Sequence, residues 1–146
     1  MLVLVGIRVA VLEPADDTGA GITDRATTKP SLLVDLPMSF LNLEQLPFAG
    51  MSHEFVGAKH GAPFSAYIVT AKPGQGPPLH QHPYVEVAFV IEGLAKVIIG
   101  NEESEVRSGG IAVIPPNTPH RFVNSGDTWL LQIDVHASPH FIQTDL

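Results

Sequence analysis

From about residue 60 onward, apolar residues come in short runs cut by Gly, Pro, Asn or Asp. FSAYIVTA (64–71), VEVAFVI (85–91), LAKVIIG (94–100), SEVR (104–107), IAVI (111–114), HRFVN (120–124) and WLLQIDV (129–135) each read as a strand. Val, Ile, Phe and Tyr dominate them, and such residues suit a pleated, half-buried surface. Seven or so short strands at this spacing predict an all-β domain, an antiparallel sandwich or barrel. Glu92-Gly93 in VIEGLAKV and Gly100-Asn101 in IIGNEESEV are expected to close two tight hairpins.

Upstream the pattern differs. In SFLNLEQLPF (39–48), Phe40, Leu43 and Leu46 fall at helical spacing, which predicts one short helix across 39–47, before or at Pro47. EPADDTGAGITDRATTKPS (13–31) has no apolar period and reads as a linker. The segment MLVLVGIRVAVL (1–12) is apolar with Arg8 inside it. A membrane span needs about 20 apolar residues. A signal peptide carries its positive charge before the apolar run, so the expectation is an added edge strand or a tail, in a cytoplasmic protein. The organisation expected is an N-terminal strand and linker over 1–35 and a single domain over 36–146.

Composition narrows the function. Thirteen glycines and thirteen prolines in 146 residues fit many short elements joined by turns. A net charge of −7 with scattered Lys and Arg argues against nucleic acid and against an anionic membrane as partners. The lack of cysteine removes disulfides, zinc ribbons, iron–sulfur clusters and thiol nucleophiles.

The chemistry concentrates in HQHPYVE (80–86). His80 and His82 are two apart, so on an extended strand both imidazoles leave one face. Taken alone, such a pair more often marks exposed loop histidines than a metal site. Four residues of straight strand would part the Cα atoms of His82 and Glu86 by about 13 Å, too far to share an ion. The chain must bend between them, and Pro83 stands where a bend is needed.

The surrounding residues resemble the cupin family. Its first motif, G(X)5HXH(X)3–4E(X)6G, is matched by Gly74, His80, His82, Glu86 and Gly93. Its second, G(X)5PXG(X)2H(X)3N, is matched by Gly109, Pro115, His120 and Asn124, with Asn117 in place of the second glycine. Asn tolerates the left-handed conformation of a turn glycine, so the departure is mild. The motifs (74–93 and 109–124) are separated by fifteen residues, the short spacing of compact bacterial-type cupins. The resemblance implies a double-stranded β-helix, or jelly-roll barrel, of two antiparallel sheets. It also implies one divalent metal held by His80, His82, Glu86 and His120. Alternation in HRFVN puts His120, Phe122 and Asn124 on one face, in keeping with the last ligand.

Three imidazoles and a carboxylate suit Fe, Mn, Ni, Co, Cu or Zn. Four protein ligands on an octahedral ion leave two positions open, which suggests chemistry. Three classes of function follow: an oxygenase-type enzyme on a small organic substrate, a redox-neutral isomerase, decarboxylase or hydrolase, or a small-ligand binding module without turnover. The oxygenase is the preferred reading, on fold analogy. Phe122 reads as cavity wall or ordinary core, and Tyr84 as a residue reaching the site or an exposed turn. Gln132 and Asp134 can orient substrate only if their face of the last strand turns inward. His53, His60, His136 and His140 have no ligand spacing and are read as non-ligands. Single-domain cupins are commonly dimers, so a homodimer is expected, with the apolar start as a candidate for covering a sheet edge. Deleting residues 1–12 should then lower the mass in solution measured by light scattering; an unchanged dimer would remove that segment from the interface.

Overall fold

The computed structural model describes residues 40–146, which lie within one compact unit, Asp35–Leu146. The expected N-terminal strand and linker (1–35) lie outside the described residues, as do residues 36–39. The described residues form eleven strands: β1 (Phe48–Ala49), β2 (Ser52–Phe55), β3 (Ser65–Ala71), β4 (His80–Gln81), β5 (Glu86–Glu92), β6 (Leu94–Ile99), β7 (Glu102–Arg107), β8 (Ile111–Ile114), β9 (His120–Asn124), β10 (Leu130–His136) and β11 (Thr144–Asp145). They form one sheet of order β1-β2-β3-β10-β5-β8 and another of order β11-β4-β9-β6-β7. The pairings are antiparallel throughout, as the resemblance implies. Among the described residues no helix is long and apolar enough to cross a membrane.

Alternation decides what each strand buries. β3 turns Ser65, Tyr67, Val69 and Ala71 inward, and β5 does the same with Glu86, Ala88 and Val90. With Ala95, Val97, Ile114, Phe122 and Leu130 they make the core.

Three expectations change. The helix across 39–47 is reduced to a single 3-10 turn, Leu43–Gln45, tied by Gln45 N–H to the Asn42 carbonyl and by Asn42 N–H to Gln45 Oε1. Phe40 is 90% exposed and Leu43 44%, so the apolar spacing finds no partner face, and one turn cannot propagate without one. Glu92-Gly93 does not close a hairpin. β5 and β6 belong to different sheets, and Gly93 (φ 88°) is the corner at which the chain crosses. A Cβ there would lie 2.7 Å from the Trp129 carbonyl oxygen, so glycine is required for the close approach as well as the dihedral. The Gly100-Asn101 hairpin forms as expected, with Ile99 opposite Glu102. The short strands β1, β2, β4 and β11 were not expected, because none has the apolar alternation that marks a strand.

Asn117 is the one non-glycine residue with positive φ among the described residues, at 56°. Its N–H donates to the His82 carbonyl at 2.7 Å, so this turn steadies a ligand strand. Asn124, 1% exposed, donates to the carbonyls of Ala71 and Thr128 and accepts from Gly126 N–H. It therefore staples the two sheets at a corner. Asn124→Ala should lower the unfolding free energy by about 3 kcal/mol, because buried carbonyls lose their donors. Asn117→Gly should change it by less than about 1 kcal/mol, since glycine accepts the same φ. Urea unfolding of chelator-treated protein checks both.

Candidate metal centre

β4 is only two residues long, hemmed by Pro77 and Pro78 before it and Pro83 after it. Its pairing with β9 sets His80 directly opposite His120, so the two imidazoles rise side by side from one face. After His82 the chain leaves this sheet, and Glu86 opens β5 in the other. That crossing is the bend the reach argument requires. It brings ligand atoms of His80, His82, Glu86 and His120 within 4.8 Å of one another, all four residues buried.

Each imidazole is oriented from behind. Nδ1 of His80 meets the Pro78 carbonyl at 2.8 Å, that of His82 the Ile142 carbonyl at 2.7 Å, and that of His120 the Thr118 carbonyl at 2.8 Å. A carbonyl can only accept, so each Nδ1 carries the hydrogen and each Nε2 turns toward the cluster. His82 Nε2 is buried with no hydrogen-bond partner, 3.2 Å from Glu86 Oε2. His120 Nε2 lies 2.8 Å from the same oxygen, a contact that needs a second proton on that ring and hence a positive charge. A divalent cation supplies positive charge at the same place and a partner for the orphaned nitrogen. The donor set therefore fits a first-row divalent metal.

Electrostatics follow from this crowding. Burial opposes the charge on Glu86, yet the hydrogen bond from His120 and the close His82 and His136 imidazoles hold its carboxyl well below the usual range. Burial also works against the His120 cation, but the bonds to Glu86 and to the Thr118 carbonyl raise its pKa. His80 is pushed down by burial and, secondarily, by the adjacent His120 and His82.

The ligands lie on the wall of a cavity of about 310 Å³ between the sheets. Phe122, two residues from His120 on β9, lines it. Tyr84 does not. It stands behind His82, ring on ring at 5.3 Å and 4°, and its hydroxyl both donates to the Ile142 carbonyl and accepts from Ile142 N–H. On β10 the even face turns inward: Gln132, Asp134 and His136 are buried while Leu131, Ile133 and Val135 face outward. Gln132 sits behind the wall and donates to Asp134 Oδ1 at 2.6 Å; Asp134 itself reaches the cavity. Burial, and then the charge of Glu86, push the Asp134 carboxyl well above the usual range.

His136 is not among the four clustered ligands, but it is part of the site. It lies opposite Glu86 in the β5–β10 register, with Nδ1 3.9 Å from Glu86 Oε2. Burial and the surrounding histidines lower its pKa to about 4, against the pull of Glu86. The alternation Gln132-Asp134-His136 was the available signal, and an inward face would have exposed it. Phe141 and Gln143 also line the cavity, from a segment with no strand pattern to announce it. His53, His60 and His140 lie outside the cluster.

His80→Ala, His82→Ala and His120→Ala should each weaken Mn(II) or Zn(II) binding by at least about 100-fold. Tyr84→Phe, which only loosens the carbonyl behind His82, should cost less than about tenfold. Titration against a competing chelating indicator measures both.

The family model for the cupin domain matches residues 67–136. Among solved structures, the fold is similar to an oxalate decarboxylase of Bacillus subtilis studied for its Mn(II) centres, with TM-score 0.65 and 22% identity over 71% of this chain and 30% of that one. It is similar to the oxalate decarboxylase of Lactobacillus farciminis in a formate complex, with TM-score 0.62 and 27% identity over 70% and 33%. An oxalate oxidase matches with TM-score 0.59 and 24% identity over 65% and 54%. An uncharacterized protein of Methanocaldococcus jannaschii is 39% identical over 51 residues, 34% of this chain and 40% of its own length. The chain thus spans about a third of the decarboxylases and well under two thirds of each of the other two. Two antiparallel sheets, both motifs and the clustered ligand set agree with these matches: the chain carries a cupin domain over residues 67–136, and it is a metal-binding one.

Proposed function

We propose that the chain is a metal-dependent enzyme of the oxygenase type, acting on a small organic molecule. The observation that carries this is the position of the four ligands: they line a cavity of about 310 Å³ instead of closing on themselves. A structural zinc site is normally closed and favours cysteine, of which the chain has none. When bound, a first-row divalent ion supplies Lewis acidity and, for iron, manganese or copper, a change of oxidation state.

The chain's own residues prepare the space. Met51, Val69, Phe122 and Phe141 give the wall its carbon surface. Asp134 Oδ1 accepts from Gln132, so a proton on this raised carboxyl resides on Oδ2. Tyr67 presents a phenol that burial and the Glu54 charge keep protonated.

Asp134, whose carboxyl burial pushes toward the protonated form, favours a second reading, redox-neutral catalysis. Decarboxylation exchanges a C–C bond for a C–H bond and needs such a donor. Proteins named oxalate decarboxylase are among the similar folds, which supports the same reading.

Oxygen electrode measurements on iron- or manganese-loaded protein, across a panel of small organic compounds, separate the two. Oxygenase activity predicts substrate-dependent oxygen uptake that disappears in His120→Ala and under anaerobic conditions. Turnover that is indifferent to oxygen and falls by about 100-fold in Asp134→Asn would support the redox-neutral reading instead.

A further inference from the structure

The charges around the cavity restrict what it can hold. Among the described residues its wall contains no Lys or Arg, but it contains the carboxyl groups of Glu54, Glu86 and Asp134. Glu54 comes from β2, opposite Tyr67 of β3, on the side of the cavity formed by the larger sheet. A divalent ion at the four ligands would be balanced by these three carboxyl groups, two of them being enough for neutrality. An uncharged guest leaves that balance intact. A dicarboxylate would add two negative charges with no cationic side chain to meet them, and burying unpaired charge is costly.

The hydrogen-bonding groups point the same way. Gln143 Nε2 donates one of its two hydrogens to Asp145 Oδ1 at 2.6 Å, and Gln143 Oε1 remains as an acceptor. With the Glu54 carboxylate, it gives the wall two acceptors for a donor on the guest, while the Tyr67 hydroxyl and the second Gln143 N–H can meet an uncharged acceptor such as an amide carbonyl. The rest of the lining is largely carbon, from Met51, Val69, Phe122 and Phe141.

We infer that this cavity takes a small, uncharged, carbon-rich molecule bearing a hydroxyl or amide N–H donor, and that Glu54 is the residue that turns carboxylates such as oxalate away. The inference rests on the metal-dependent reading above and names the substrate class of that same site. It separates this chain from the oxalate enzymes whose fold it shares.

The test uses the full chain loaded with Co(II), whose visible absorption reports ligands entering the site without any turnover. Benzamide and benzoate have nearly the same shape and differ in charge; oxalate is the third probe. Benzamide is expected to bind about tenfold or more tightly than benzoate, and oxalate to bind no better than benzoate. Glu54→Gln should narrow the benzamide–benzoate gap by roughly tenfold, mainly by improving benzoate binding. Benzoate or oxalate binding as tightly as benzamide, no binding of benzamide, or an unchanged gap in Glu54→Gln would each overturn the inference. Failure to take up Co(II) would overturn it together with the metal-dependent reading. Selective benzamide binding without oxygen uptake on any compound would refute the oxygenase reading and leave this one standing.

Discussion

The structure turns on one buried carboxylate. Glu86 enters the interior at the first residue of β5, where an isolated charge would be expensive. Three imidazoles surround it, those of His80 and His120 from the opposite sheet and that of His82 from the crossing between the sheets. Two of them contact a single oxygen, Oε2, at 2.8 and 3.2 Å. The cluster is therefore a point where the two sheets must converge, and its geometry is paid for by the carbonyls of Pro78, Thr118 and Ile142 that orient the rings. Each of those carbonyls lies outside the regular ladder of a long strand. The irregular, proline-rich backbone around β4 is thus part of the site's construction.

The same logic explains an inversion in β10. Its apolar face, Leu131, Ile133 and Val135, points outward, while Gln132, Asp134 and His136 are buried. Hydrophobicity alone would choose the opposite orientation. Pairing with β3 and β5 on both sides holds the strand in register, with His136 opposite Glu86 and Asp134 opposite Tyr67. The polar groups thereby gather around the carboxylate and the cavity: Gln132 donates to Asp134, while Gln132 Oε1 and His136 Nδ1 have no hydrogen-bond partner. The arrangement is that of a site whose interior chemistry has been given precedence over core packing.

The last described residues act on the centre from outside the ladder of long strands. β11 pairs with β4 through Asp145 and His80, and Leu146 N–H donates to the Leu79 carbonyl. Between them Ile142 binds His82 and Tyr84, and Phe141 packs at 4.6 Å from Tyr67 and 5.4 Å from His82. One short segment thus supports a ligand, closes part of the cavity and covers an edge that β4 would otherwise leave unpaired.

The seven long strands, the Gly100-Asn101 hairpin and the left-handed Asn117 were legible in the residues themselves, and the resemblance pointed to the four residues that cluster. Period-two alternation and turn chemistry are local properties, and motif spacing places ligand types at fixed intervals. The bend between His82 and Glu86 followed from reach alone. Alternation divides a strand into two faces but does not say which face turns inward, because that depends on the strands it meets. So the inward turn of β10, the entry of His136 into the site, the retreat of Tyr84 and Gln132 behind the wall, and the crossing at Gly93 were decided only by the tertiary structure. The support from Ile142 and Phe141 belongs with them, since a backbone carbonyl 60 residues from His82 leaves no mark in the sequence.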